Sequence, residues 1–153
     1  MEKMTPFHIG LRGSCLGDSM EPFIKSTAKL TISVNNTNDY KVGDIVVFIQ
    51  KSLFVAHRII SVNRKGRTVY FTLKGDNNSK VDGIFTTQQI VGRVDTIVQN
   101  QHIIDLNEQK HKLLKYVFVM YSLSNKNAAV MYLSTFVRKI KIFKYIFRQI
   151  VYV

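Results

Sequence analysis

Cysteine is almost missing from this chain: only Cys15 is present. An internal disulfide framework is therefore excluded, and one unpaired thiol leans towards a reducing compartment. No secretory signal is expected from Met1 to Gly10, which holds no apolar core and where Pro6, His8 and Gly10 interrupt any helix. No apolar run reaches the ~20 residues that a membrane-spanning helix requires. The longest stretches, 113–123 and 128–137, are separated by Ser124-Asn125-Lys126-Asn127. Internal repeats and low-complexity segments are absent. Acid is missing from one end: all 10 Asp and Glu lie in residues 1–108, so the net charge of +12 belongs mainly to residues 109–153.

With 153 residues, 46% of them hydrophobic, the chain can bury one core, which predicts a single domain with an appendage. The first two thirds read as β. Leu30 to Val34, Asp44 to Ile49, Leu53 to Ile60, Thr68 to Leu73, Val91 to Val98 and His102 to Leu106 are short and rich in β-branched or aromatic residues, with polar or glycine-containing breaks between them. Gln50-Lys51-Ser52 and Asn63-Arg64-Lys65-Gly66 read as hairpin turns. From Glu108 the character turns helical, with Asn107 as the cap. The expected division is a β domain over 1–107 and a basic helical extension over 108–153.

Lysine and arginine in that extension alternate with Phe118, Tyr121, Tyr132, Phe136, Phe143, Tyr145 and Phe147, a density of rings that favours a lipid surface or a protein over nucleic acid. Arg138, Lys141, Lys144 and Arg148 recur at helical spacing, with Ile140, Phe143, Phe147 and Ile150 on another face. Two arrangements fit this pattern: an amphipathic helix lying on a membrane, and a terminal helix packed on the sheet with its charges in water.

The chemistry-bearing residues lie in the β part. Ser19 stands in Gly17-Asp18-Ser19-Met20-Glu21-Pro22, a hydroxyl between a flexible and a rigid residue. A serine hydroxyl attacks an amide carbonyl only if a neighbouring base takes its proton. His57 is the candidate, since an imidazole titrates near pH ~6.5 and can accept and return a proton. A carboxylate must then hold the imidazole in the useful tautomer, and Asp76 and Asp82 are both candidates. Each element also has a plain structural reading: a turn serine, a core histidine, loop-capping aspartates. Cys15 has no cysteine-protease setting around it, and His8, His102 and His111 show no metal-ligand spacing, so neither a metal nor a cofactor is expected.

Taken together, three boxes resemble the signal-peptidase-like serine peptidases: Ser19-Met20-Glu21-Pro22, then Val42-Gly43-Asp44-Ile45-Val46-Val47-Phe48, then Lys74-Gly75-Asp76-Asn77-Asn78, in the family's order. The similarity spans about residues 10–98. Many bacterial members and the self-cleaving SOS-repressor peptidases carry a lysine base where this chain has His57. The histidine resembles the archaeal and endoplasmic-reticulum type, which uses Ser, His and an acid. The resemblance implies a mainly β, signal-peptidase-like sheet or partly open barrel, with Ser19 as nucleophile, His57 as base, Asp82 as the third residue and Asp76 supporting the site.

Two departures from the family pattern matter. The family usually carries a transmembrane helix before the nucleophile, whereas eighteen residues precede Ser19 here. Membrane attachment, peripheral and with the cytoplasmic side open to it, is then expected from the tail or a partner. Many bacterial members also place a hydroxyl two residues before the nucleophile, where this chain has Gly17. Oxyanion stabilisation would rest on the Ser19 backbone N–H within the Gly17, Asp18, Met20 and Pro22 segment, and one lost donor costs on the order of 3 kcal/mol.

The expected activity is serine endopeptidase cleavage of a signal or leader segment from an exported precursor. The alternative is a weak or inactive peptidase fold docking on a membrane export complex. A relative of the SOS-repressor peptidases is disfavoured by His57 and by the lack of a helix-turn-helix segment.

Overall fold

A computed structural model describes residues 9–34 and 39–124. The amphipathic pattern read over 138–153 therefore lies outside the described residues. Eight strands form one antiparallel sheet: β1 (Ile9–Ser14), β2 (Lys29–Val34), β3 (Ile45–Gln50), β4 (Leu53–Lys65), β5 (Thr68–Lys74), β6 (Gly83–Thr86), β7 (Ile90–Gln99) and β8 (His102–Asp105). The order is β1-β2-β7-β3-β4-β5-β6, with β8 beside β7. Edges β1 and β6 do not pair, so the sheet stays open. Among the described residues one α-helix, α1 (Gln109–Ser124), follows the last strand. No helix among the described residues is long and apolar enough to cross a membrane.

β3 is the spine of the domain, and its unbroken apolar run explains why. Ile45 and Val47 join one buried cluster with Met20, Phe23, Ile24 and Phe118, while Val46 and Phe48 join a second with Ile59, Phe71 and Leu73. A strand buried on both faces carries apolar residues at every position rather than at alternate ones. β4 pairs β3 from Leu53 to Arg58 and β5 from Arg58 to Lys65. Among the described residues the Leu53–His57 stretch consequently has one side without a strand partner, and that side borders the candidate site.

The β reading holds, with shifts in detail. The Lys51-Ser52 turn closes the β3–β4 hairpin with both residues at positive φ, 48° and 65°, the geometry that matches the twist of the flanking strands. β4 runs on through Asn63 to Lys65, so the second turn is centred on Gly66, at φ 58°, instead of on 63–66. A register shift between Ile59 and Ser61 lets β4 continue past the expected stop at Ile60. β1 and β6 were not expected. β1 contains Gly10 and Gly13, which weaken its strand propensity, and is held by pairing to β2. β6 is only four residues long. Asn107 does not cap α1: the helix starts later, at Gln109, and the Asn107 Oδ1 that a cap would use accepts from Arg93 Nη2 at 3.4 Å.

Candidate functional site

Ser19 lies in the turn-rich connection between β1 and β2, and short-range bonds fix its backbone. Glu21 N–H donates to the Asp18 carbonyl at 3.0 Å, and Phe23 and Ile24 N–H both donate to Met20 O. Met20, Phe23 and Ile24 are buried, which anchors the segment from below, and the Glu21–Pro22 peptide bond is cis. The loop after β5 clamps it from the side. Asn77 N–H donates to Ser19 O at 2.8 Å, and Asn77 Nδ2 reaches Asp18 O at 3.3 Å. Gly75 has to be glycine here: a Cβ would sit 2.7 Å from Ser19 O and 2.8 Å from Asn78 Nδ2.

His57 faces Val46 across the β3–β4 pair and Arg58 faces Ile45. The two side chains therefore leave β4 on opposite faces. His57 is 3% exposed and packs against Phe48, with ring centroids 5.8 Å apart. Its Nε2 lies 2.9 Å from Ser19 Oγ and its Nδ1 2.6 Å from Asp82 Oδ2. Asp82 is held at the foot of β6 by its own N–H, which donates to Leu73 O at 2.9 Å. An ionised carboxylate can only accept, so Nδ1 carries the proton and Nε2 presents its lone pair to the Ser19 hydroxyl.

Asp76 does not reach His57. It is fully buried and paired in a fork with Arg58, Nε to Oδ1 at 2.8 Å and Nη2 to Oδ2 at 2.7 Å. Arg58 Nη1 donates to Gly43 O at 2.9 Å, and its guanidinium lies 5.0 Å from the Phe23 ring centre and 5.3 Å from that of Phe118. A buried cation needs this completeness, since each unsatisfied N–H would be costly. The pair joins His57's neighbour to the loop that clamps Ser19. Sequence reading found the aspartates but missed Arg58, Asn77 and the helix residues behind them. The signal available for the first two was their position, one beyond His57 and one beyond Asp76.

Gly17 adopts φ 102°, and a Cβ there would meet nothing within 4 Å. The Ser19 backbone N–H enters no hydrogen bond among the described residues. Beside it opens a cavity of about 400 Å³, walled on one side by Gly13 to Gly17 and on the other by Leu53 to His57, with Met20, Ile24 and Val47 at its floor. Leu16, Leu53 and Phe54 stand exposed at its mouth, at 94%, 67% and 71%. Cys15 also lines it, but burial pushes its thiol up from the usual value, away from the reactive thiolate.

No family model matches the chain. Over 71 residues it is 34% identical to Signal peptidase I W of Bacillus subtilis (strain 168), a stretch covering 45% of this chain and 37% of that protein. The chain thus spans little more than a third of the length of that relative. The match supports a signal-peptidase-like relationship and, with it, a serine-peptidase kind of reaction.

Proposed function

We propose that this chain is a serine endopeptidase that removes a signal or leader segment from an exported precursor, using Ser19, His57 and Asp82. The observation that carries the reading is the continuous relay of 2.9 Å and 2.6 Å through the two nitrogens of one buried imidazole. Ser19 Oγ attacks the scissile carbonyl as its proton passes to His57 Nε2, and Asp82 steadies the imidazolium. The oxyanion formed accepts from the Ser19 N–H. Collapse breaks the C–N bond, with His57 giving its proton to the leaving amine. Water, deprotonated by the same nitrogen, then hydrolyses the ester and returns Ser19 to its starting state.

The precursor enters as an extended strand. The free side of Leu53 to His57 and the opposing Gly13 to Gly17 wall offer backbone groups on both flanks, while the apolar floor receives alternate side chains. Small residues before the cut follow from the family resemblance. The exposed apolar mouth suits a precursor held at a membrane, and the basic extension suits an anionic one. The test is cleavage of an internally quenched precursor peptide with alanines before the cut, compared between wild type and Ser19→Ala. Equal turnover by both would leave only a binding role.

Two smaller effects follow. Gly75→Ala drives a Cβ into Ser19 O, so the nucleophile must move, and misplacement of about 1 Å costs up to ~10²-fold in rate. Cleavage is expected to drop on that scale, measured with the same peptide. Removing Arg138 to Val153 is expected to weaken cosedimentation with phosphatidylglycerol vesicles while leaving cleavage of the soluble peptide unchanged. Undiminished sedimentation would remove the tail from the account of membrane binding.

A further inference from the structure

We infer that α1 is part of the machinery that positions the nucleophile and its base, and that Lys115, Phe118 and Ser122 are positioning residues for Ser19 and His57. The inference rests on the Ser19–His57–Asp82 reading. These three helix residues recur at spacings that place them along one face, and each ends on a group next to the site.

Lys115 Nζ donates to Asp44 Oδ1 at 2.6 Å, and the helix lies so close that a Cβ on Gly43 would be 2.7 Å from Lys115 Cβ. That turn holds β4 in place, since Ile59 N–H donates to Asp44 O at 2.8 Å and Arg58 Nη1 to Gly43 O at 2.9 Å. Phe118 is buried with its ring 4.4 Å from that of Phe23, and Arg58 lies against both rings. One side chain of α1 thus touches both the segment that carries Ser19 and the residue next to His57. Ser122 accepts from the buried Lys74 ammonium through its carbonyl and, at 3.0 Å, its hydroxyl. Lys74 immediately precedes Gly75 and the loop whose Asn77 N–H holds Ser19 O.

Packing alone would need none of these ions. Apolar residues of similar volume hold a helix on a sheet at least as well as buried charges do, whereas a hydrogen-bonded ion admits one register. Phe118 leads to the Arg58–Asp76 pair, Ser122 through Lys74 to the Gly75–Asn77 loop, and Lys115 to the Gly43–Asp44 turn, whose carbonyl accepts from Arg58. The distance between Ser19 Oγ and His57 Nε2 is therefore set partly from the helix, which never touches the substrate groove.

The test uses the full chain with Phe118→Leu, Lys115→Met and Lys115→Arg, and reads three quantities: kcat and KM on the quenched alanine-bearing peptide, thermal unfolding, and the proton resonance of His57 Nδ1–H. In Phe118→Leu and Lys115→Met, kcat is expected to fall about 10- to 100-fold well below the unfolding temperature, with KM changed by no more than about twofold. The imidazole resonance should broaden or shift, and Lys115→Arg, which keeps the ion pair, should restore kcat. Should Phe118→Leu not fold, Lys115→Met decides: Lys115 is partly exposed and sits outside the apolar clusters, and the buried Asp44 carboxylate that loses it still accepts from Lys41 N–H at 2.9 Å. Folded variants with wild-type kcat and an unchanged imidazole signal would overturn the positioning role and leave the peptidase reading standing. A wild type without Ser19-dependent cleavage would instead remove that reading and this inference with it.

Discussion

Ser19→Ala is expected to lower cleavage of the quenched precursor peptide by roughly 10⁴-fold or more, and His57→Ala by a similar factor, since nucleophile and base act as one unit. Combining the two should cost little beyond either alone. The fold should survive both changes. Ser19 is only half-buried and its side chain makes one bond, to His57, while the segment is anchored by Met20, Phe23 and Ile24 and by Asn77 N–H on its carbonyl. Unfolding curves close to that of wild type, beside a lost activity, are the expected pair of results. What rate survives would come from the groove and the Ser19 N–H, which the substitution leaves in place.

The second large effect separates the two aspartates. Asp82→Asn keeps the size of the side chain but gives Nδ1 a partner that favours neither the right tautomer nor the imidazolium. Activity is expected to fall by roughly 10⁴-fold with the fold retained. Asp76→Asn should act first on stability. It leaves Arg58, 1% exposed, without its counter-charge in the core, and stripping one partner from a buried pair costs about 3–5 kcal/mol. Against a total stability of roughly 5–15 kcal/mol for a domain, that is a large share, and urea denaturation should show an early midpoint. A folded, stable Asp76→Asn variant that loses activity as deeply as Asp82→Asn, by roughly 10⁴-fold, would place Asp76 in the relay instead.

That division was open in the sequence. Gly75-Asp76-Asn77-Asn78 and Asp82 offered two carboxylates for one role, and the family resemblance favoured Asp82. Geometry separates them because β4 sends His57 and Arg58 to opposite faces, so the two aspartates answer two different neighbours. The β3–β4–β5 core was legible because its strands carry apolar, β-branched runs between clear turns. β1 was not, since glycines at 10 and 13 hide a strand that exists by pairing with β2. The role of α1 was hidden for a different reason. Lys115, Phe118 and Ser122 look like ordinary helix residues until the fold brings them to Asp44, Arg58 and Lys74, between 48 and 71 positions away in the chain for the two polar contacts.

Gly17 also reads differently in three dimensions. As a sequence feature it is a missing hydroxyl. In the fold it sits at φ 102°, where any L side chain is strained, so a hydroxyl there cannot be restored without distorting the turn that presents Ser19.

Formation of an acyl-enzyme tests the nucleophile most directly. The full chain would be mixed with the alanine-bearing precursor peptide, quenched in acid within the first turnover, digested and mapped by mass spectrometry. The expected result is one ester adduct, on Ser19, carrying the segment that precedes the cut and absent from Ser19→Ala and His57→Ala. Cleavage that proceeds with no adduct on Ser19, or equally well in Ser19→Ala, would contradict it.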